Sequence, residues 1–288
     1  MSSLHPPRYR SFEFGVTRAV REDRGGVTYL RAERPLGPYP ERMTDRLRHW
    51  ATQAPDRTWM AQRVPAPDGL GPWRHVSYAQ AWDTAQRIGQ SLIDRGLSPE
   101  RPVAILSENS LEHALLALGC MTVGVPWCPV STAYSLMSTD YGKLRHVLDT
   151  ITPGLVFASD WARYGKAIDA VVATDTEVVT LVPALRGASN TPTTTFADLA
   201  ATAPTPAVAA AMAATGPDTI VKFLFTSGST KLPKGVINTQ RMICANQEQI
   251  RTSMPSVYGT GEPPVLLDWL PWNHTFGGNN NFHAALFN

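Results

Sequence analysis

Residues 219–239 read T-I-V-K-F-L-F-T-S-G-S-T-K-L-P-K-G-V-I-N-T, two apolar runs separated by a polar loop. The first run, 219–225, predicts a buried strand, and 236–238 predicts a second strand after the loop. A helix is expected to begin at Thr239, a favourable N-cap residue, and to end before Pro255. The loop therefore connects two strands and does not open a helix.

The loop itself, positions 226–235, contains four hydroxyl side chains, two glycines and two lysines. Glycines let backbone N–H groups converge on an anion, hydroxyls add donors, and lysine supplies a cation, which together predict a polyphosphate site. An ordinary surface turn is the alternative, but ten ordered positions ending in P-K-G are hard to obtain by chance. A Walker P-loop NTPase is a further alternative. It requires Gly-Lys-Ser/Thr at the start of a helix, whereas here Lys234 precedes Gly235 and a strand follows.

Upstream of this loop, short apolar segments alternate with segments of helical periodicity. Strands are predicted at 27–31, 102–106, 125–130, 155–158 and 177–182. Helices are predicted at 44–54, 77–97, 110–123, 141–151 and 160–172, the second opened by the capping-box pattern S-Y-A-Q. This alternation predicts an α/β fold with mostly parallel sheets flanked by helices.

Composition shifts divide the chain into four parts. Residues 1–40, rich in Pro, Arg and Gly, predict an extended N-terminal arm, and 41–199 form a first α/β sub-domain. Residues 200–217, rich in Ala, Pro and Thr, predict a connector, and 218–288 begin a second α/β sub-domain that carries the phosphate-binding loop.

Charge and cysteine content limit the classes of partner and site. Lys plus Arg total 26 against 24 acidic residues in 288, and this net +2 does not indicate a nucleic-acid partner. No apolar run approaches the length of a membrane span. Cys120, Cys128 and Cys244 form no CxxC pair, and no His or Cys spacing predicts a metal site. A reduced, cytoplasmic setting and a small-molecule partner are expected.

Two motifs resemble those of a known family. T-S-G-S-T-x-x-P-K-G at 226–235 resembles the phosphate-binding signature of the adenylate-forming (AMP-dependent synthetase/ligase) superfamily, and L-P-W-N-H-T-F-G-G at 270–278 resembles its next motif, a strand end followed by a histidine at the acyl pocket. The segments 113–136, 233–242 and 270–279 are most similar to feruloyl-CoA synthetases. The resemblance implies the N-terminal part of the large domain, with the C-terminal domain absent.

The resemblance also implies an acid-thiol ligase, in which ATP adenylates an aromatic, hydroxycinnamic acid and coenzyme A then captures the acyl group. Mg²⁺ would bridge phosphate oxygens, and the expected catalytic residues are Lys234 and His274. The phosphate-binding residues carried over by motif are Thr226, Ser227, Gly228, Ser229, Thr230, Lys234 and Gly235. The acid pocket would include Trp272, His274, Phe276 and Asn279, with Phe282 as a further aromatic; aromatic residues here are equally compatible with a core. A fatty-acyl-CoA synthetase and a non-catalytic nucleotide- or acyl-binding remnant remain as alternatives, and the oligomeric state stays open.

Departures from the family pattern affect the specificity and the activity expected of this chain. Lys231 stands where the family has glycine, and N-N-N-F-H at 279–283 differs from the N-H-N-F-G expected of feruloyl-CoA synthetases. Family members continue beyond the position of Asn288 with ribose-binding, magnesium-binding and C-terminal lysine residues. This polypeptide alone is therefore expected to be a fragment that makes little or no adenylate.

Overall fold

The computed structural model of the chain describes residues 11–16, 18–67, 69, 71–183, 189–226 and 232–288. The strands within these residues are β1 (Ala19–Arg24), β2 (Val27–Ala32), β3 (Thr58–Arg63), β4 (Trp73–Ser77), β5 (Val103–Leu106), β6 (Trp127–Pro129), β7 (Leu155–Ala158), β8 (Glu177–Thr180), β9 (Thr193–Thr195), β10 (Ile220–Thr226) and β11 (Lys234–Thr239). The helices are α1 (Met43–Gln53), α2 (Tyr78–Asp94), α3 (Leu111–Val123), α4 (Ala133–Leu136), α5 (Gly142–Ile151), α6 (Trp161–Val171), α7 (Phe196–Ala201), α8 (Pro206–Ala214), α9 (Gln240–Ser253), α10 (Pro255–Tyr258), a π-helix (Phe276–Asn281) and α11 (Phe282–Phe287).

A seven-stranded sheet with the order β11-β10-β6-β5-β7-β8-β9 forms the centre of the fold. Strands β10 to β9 in this order pair in parallel, and only the edge pair β10–β11 within the sheet is antiparallel. The predicted α/β class with a mostly parallel, helix-flanked sheet is confirmed.

Alternate residues of the central strands pack into two different cores. Val103 and Ile105 of β5 belong to the cluster shared with α1, α2 and α3, whereas Ala104 and Leu106 belong to the cluster shared with α5 and α6. All four are buried, because side chains alternate between the two faces of a strand and helices cover both faces. This explains why the strand reads as a continuous apolar run.

Hydroxyl caps start the helices where the sequence predicts. Ser77 accepts a hydrogen bond from the Gln80 amide while the Gln80 side chain accepts one from the Ser77 amide, so the predicted capping box is present. Ser110 and Thr239 likewise cap α3 and α9 through the amides of His113 and Met242.

Several elements differ from the expectations. The arm predicted for residues 1–40 contains the β1–β2 hairpin, of which only the second strand was expected, and the β3–β4 hairpin was not expected. The connector 200–217, for which a short helix was considered, contains α8. Strand β10 pairs with β6 across this connector, so the sheet is continuous, and the division of the chain at the connector stays a prediction. Residues 234–239 form a strand where a Walker P-loop would have a helix, which excludes the P-loop NTPase alternative.

Helices α2 and α3 approach closely because each carries a glycine at the contact. A Cβ added at Gly119 would lie 2.4 Å from Cγ2 of Ile88, and one added at Gly89 would lie 2.7 Å from Cγ1 of Val123. The two helices therefore pack with no room for a side chain at either position.

Gly119→Val is expected to lower the free energy of unfolding by about 1–3 kcal/mol, since the added methyl groups must displace the Ile88 side chain from its place in the core. Urea unfolding followed by circular dichroism measures the change. Gly216→Val is the matched control, because no atom lies within 4 Å of a Cβ added there. Equal unfolding midpoints for the two variants would show that the α2–α3 contact is not tight.

Candidate functional site

The β10–β11 hairpin positions the two ends of the predicted phosphate-binding loop. Thr226, the last residue of β10, pairs with Lys234, the first residue of β11. The two residues therefore lie opposite each other where the loop starts and ends. Lys234 is exposed, as a residue that binds a soluble polyphosphate must be. The other predicted phosphate ligands, Ser227, Gly228, Ser229 and Thr230, lie outside the described residues, as does Lys231.

Two contacts fix the C-terminal end of this loop. Gly235 pairs with Phe225, and the Phe225 ring lies over the glycine, where an added Cβ would approach it to 3.2 Å. Nε2 of His146, on α5, lies 2.9 Å from the Pro233 carbonyl oxygen and donates to it. Sequence analysis gave His146 no role, since no spacing connects α5 with a loop 87 residues later.

The second predicted motif folds as a turn followed by the π-helix. Gly277 and Gly278 are buried at its start, where an added Cβ would lie 2.4 Å and 2.3 Å from the carbonyl oxygens of Pro271 and Trp272. A π-helix is wider than an α-helix and leaves backbone groups that need other partners, which is one reason such segments occur at functional sites. The strand end implied at the start of this motif is not formed: residues 263–269, which precede it, are not part of any strand, and Val265, Leu267 and Trp269 expose their side chains.

His274 lies in the turn before the π-helix and is exposed. Its Nδ1 accepts a hydrogen bond from the Phe276 amide at 3.4 Å, and its carbonyl accepts one from the Gly278 amide at 2.8 Å. With Nδ1 as acceptor, the neutral ring carries its proton on Nε2, which leaves that group able to donate to an anion.

Buried side chains supply donors to three successive carbonyl groups of the π-helix. Lys222 of β10 donates from Nζ to the Gly278 carbonyl, and Gln247 of α9 donates from Nε2 to the carbonyls of Asn279 and Asn280, at 2.7 and 3.0 Å. Nδ2 of Asn279 also donates to Oδ1 of Asn238 in β11 at 3.0 Å. The hairpin and the π-helix are thus tied together by hydrogen bonds.

A cavity of about 610 Å³ lies between α9, β11 and the π-helix. Its lining includes five apolar residues and six with carboxamide or hydroxyl groups, namely Met242, Ile243, Ala245, Ile250 and Phe276, and Asn238, Asn246, Gln249, Thr275, Asn279 and Asn280. The side-chain oxygens of Asn246 and Asn279 are buried and have no hydrogen-bond partner among the described residues. Each oxygen has almost no exposed surface, so a ligand in the cavity can donate a hydrogen bond to it only after the side chain turns.

The predicted pocket residues divide between this cavity and the core. Phe276, 52% exposed, and Asn279 line the cavity, whereas Trp272 is 4% exposed and packs against Phe282 with ring centres 4.8 Å apart. The Trp272 indole donates to Oδ2 of Asp268 at 2.9 Å. Trp272 and Phe282 therefore belong to the apolar core beneath the turn. This is the alternative that the sequence left open for aromatic residues in this segment.

The polar residues that hold this turn were missed or assigned only a local role. Asn109, in the turn between β5 and α3, donates to the Leu270 carbonyl at 2.8 Å and accepts from the Trp272 amide at 3.0 Å. Asp268 accepts from the Leu270 amide and from Nδ2 of Asn281. A lysine inside an apolar strand, such as Lys222, was the one available signal, because buried lysines are rare.

Burial shifts the titration of the charged and titratable groups behind the cavity wall. It lowers the pKa of Lys222 to about 7 and that of His113 to about 4, and it holds the pKa of His283 well below its usual range, with the Lys222 charge adding to the effect on both histidines. Both histidines are consequently neutral at physiological pH.

The described ranges contain neither a metal-binding cluster nor a membrane-spanning helix. No group of three or more His, Cys, Asp or Glu side chains gathers there into a possible metal site. Nor does any helix of the described chain combine the length and apolarity that crossing a bilayer requires.

Two curated ligases are among the relatives of this chain. It is 28% identical over 169 residues to 4-hydroxybenzoate–CoA/benzoate–CoA ligase of Rhodopseudomonas palustris, covering 59% of this chain and 29% of that protein. It is 29% identical over 231 residues to fatty acid–[acyl-carrier-protein] ligase ScoC of Streptomyces coeruleorubidus, covering 79% of this chain and 38% of that protein. The chain spans about a third of the length of the curated relatives it matches.

Solved structures share the fold of this chain, and a family model identifies its family. The fatty acid AMP ligase of Legionella pneumophila superposes with a TM-score of 0.62 at 18% identity, over 85% of this chain and 38% of that one. ATP-bound MatB of Rhodopseudomonas palustris superposes with a TM-score of 0.57 at 27% identity, over 84% of this chain and 43% of that one. The family model described as AMP-binding enzyme matches residues 47–288. The chain therefore belongs to the AMP-binding enzyme family.

Proposed function

We propose that this chain carries the phosphate-binding loop and the acid pocket of an AMP-forming ligase of the feruloyl-CoA synthetase type. The observation that carries the proposal is the cavity of about 610 Å³ beside β11, the strand that begins at Lys234. Its volume lies within the range of small-molecule sites and suits an aromatic acid. Coenzyme A as acceptor, Mg²⁺ on the phosphate oxygens and a cytoplasmic location are parts of the same proposal.

The chemistry of the cavity favours an aromatic acid that carries a ring hydroxyl. Phe276 and Ile250 provide apolar contact for a ring, and the carboxamide of Asn246, whose oxygen has no partner among the described residues, provides an acceptor for a phenolic O–H when its side chain turns toward the ligand. A purely hydrocarbon acid would leave this oxygen unsatisfied. The similarity to the 4-hydroxybenzoate–CoA/benzoate–CoA ligase supports the aromatic class.

The proposed reaction has two steps. The acid carboxylate attacks the α-phosphorus of ATP, the bond to pyrophosphate breaks, and the resulting acyl-adenylate then passes its acyl group to the thiolate of coenzyme A with loss of AMP. Lys234 acts as a point charge on the departing phosphates, and His274 donates from Nε2 to the carboxylate or α-phosphate, because catalysis of this kind depends on positioning and charge stabilisation. The 27% identity to a MatB structure solved with ATP supports nucleotide binding by the loop.

A fatty acid is the second candidate substrate. The relative named fatty acid–[acyl-carrier-protein] ligase favours it, and so do Met242 and Ile243 in the cavity lining. Affinity for an alkanoic acid relative to a hydroxylated aromatic acid separates the two candidates.

Lys234→Met is expected to raise the Kd of the chain for Mg·ATP about tenfold to a hundredfold, since a charged contact to phosphate contributes roughly 1.5–3 kcal/mol. Isothermal titration calorimetry of the chain with Mg·ATP measures it. Lys166→Met, which removes an exposed lysine from α6, is the matched control and should bind like the wild type. Equal affinities of the two variants would contradict the role of Lys234, and a wild-type chain that binds no Mg·ATP would overturn the nucleotide site.

Asn246→Leu is expected to weaken binding of 4-hydroxycinnamate about fivefold to tenfold and to leave cinnamate binding unchanged, because only the hydroxylated acid donates to the Asn246 oxygen. Titrations of both acids against wild type, Asn246→Leu and the exposed control Asn190→Leu give the comparison. Equal losses for the two acids would remove the hydroxyl contact from the proposal. Tighter binding of decanoate than of either aromatic acid would favour the fatty-acid candidate.

A further inference from the structure

The side chain of Lys222 is fully buried in the core, at 0% exposure. Its Nζ donates to the Gly278 carbonyl and lies 3.4 Å from Nε2 of His283. It also lies 5.0 Å from the centre of the Trp127 ring and 6.0 Å from that of Phe282. Its described contacts are thus one carbonyl, one imidazole and two aromatic faces, with no carboxylate among them.

This environment is unfavourable for a cation. Burial lowers the pKa of Lys222 from 10.5 to about 7, because the ammonium group loses its water without gaining an anion. A buried charge without a paired anion costs free energy that an apolar side chain of similar length would not. Core stability therefore does not explain a lysine at this position. We look instead to the hydrogen bond that its Nζ donates to the Gly278 carbonyl.

The groups near Lys222 belong to the wall of the cavity. Gly278, which accepts from its Nζ, directly precedes Asn279, a cavity-lining residue. Asn238, the cross-strand partner of Lys222, also lines the cavity and accepts from Nδ2 of Asn279. Lys222 consequently lies directly behind the wall, on the same face of the β10–β11 pair as Asn238.

We propose that Lys222 is a positioning residue for the acid-binding cavity: its ammonium group holds the Gly278 carbonyl, fixes the π-helix wall that carries Phe276 and Asn279, and favours a carboxylate bound beside that wall. This inference rests on the proposed function of the cavity. A charge-assisted hydrogen bond is stronger than a neutral one, and a positive charge in a region of low dielectric attracts an anion. Both effects predict tighter binding of the acid when Lys222 is protonated.

The other titratable groups near Lys222 do not change charge in the same range. His113 on α3 has a pKa of about 4, and the pKa of His283 on α11 is held well below its usual range, so both stay neutral from about pH 6 to about pH 8. The contacts from β6, β11 and the π-helix come from Trp127, Asn238 and Gly278, which do not titrate. His274 lies in the turn that leads into the π-helix and needs its own control.

Binding of 4-hydroxycinnamate at about pH 6, 7 and 8 tests the proposal, because the carboxylate is ionised and the phenol neutral throughout. The wild-type Kd is expected to rise several-fold from pH 6 to pH 8. Lys222→Met should bind at least about fivefold more weakly at pH 6, with a Kd that does not vary with pH. His274→Gln should retain the pH dependence whatever its affinity. A Lys222→Met variant with the wild-type pH dependence overturns the proposal.

Amide hydrogen exchange separates this role from the proposed function and from general stability. In Lys222→Met, peptides covering 276–281 should exchange at least about tenfold faster, while those covering 103–106 in β5 keep the wild-type rate. Faster exchange in both regions, or in neither, overturns the positioning role. If the wild type binds no aromatic acid, the proposed function fails, and hydrogen exchange still decides whether Lys222 holds the wall. If Lys222→Met does not fold, the same test is made on the wild type, whose Lys222 loses its proton between pH 6 and pH 8. The protection factors of amides 276–281 should then fall over this range relative to those of amides 103–106, and an unchanged ratio overturns the positioning role.

The pH dependence of unfolding provides an independent check of the buried charge. Since the folded pKa of Lys222 lies below its ordinary value of 10.5, the unfolded chain binds more protons between about pH 7 and that value, and stability should rise with pH in this window. Lys222→Met should lack this increment, as measured by urea midpoints at about pH 7 and 9. An identical pH dependence in both proteins would contradict the burial of a titrating lysine.

Discussion

The pairing of β10 with two different neighbours, β6 in parallel and β11 in antiparallel, is the constraint on which the candidate site depends. The parallel contact holds β10 within a sheet whose two faces are both buried, so its end at Thr226 has a fixed place. The antiparallel contact brings the chain back and places Lys234 opposite that end. A loop with two anchored ends can direct its backbone N–H groups at a ligand without a helix terminus.

Polar contacts from the hairpin, from α9 and from the turn before α3 hold the second motif in place. Asn238 bonds to Asn279, Gln247 bonds to two carbonyls of the π-helix, and Asn109 binds both sides of the turn at 270–272. Each is a directional hydrogen bond from a side chain in another element. Together these bonds fix where the turn lies on the fold as well as how closely it packs. An apolar interface alone would leave the turn free to slide.

Much of the fold was predictable because it depends on local patterns. The strands at β5 and β7, the capping box at Ser77 and the strand after the loop all follow from apolar periodicity and cap chemistry. The pairing of β1 with β2 and of β3 with β4 was not predicted: β1 and β2 are almost entirely exposed, and Trp59 is the one buried residue of β3. The hydrogen bonds from Lys222 to Gly278 and from His146 to Pro233 join residues that are 56 and 87 positions apart. At such separations the spacing in the sequence does not predict a contact.

The close approach of Gly277 and Gly278 to the carbonyls of Pro271 and Trp272 limits how the pocket can be redesigned. Any side chain at either position would collide with the backbone, not with a neighbour that could turn aside. Libraries aimed at new acids should therefore leave both glycines unchanged and vary Phe276, Asn246 and Met242, whose side chains border open space. The two glycines thus fix the backbone of this part of the pocket, while the side chains at the other lining positions can be changed.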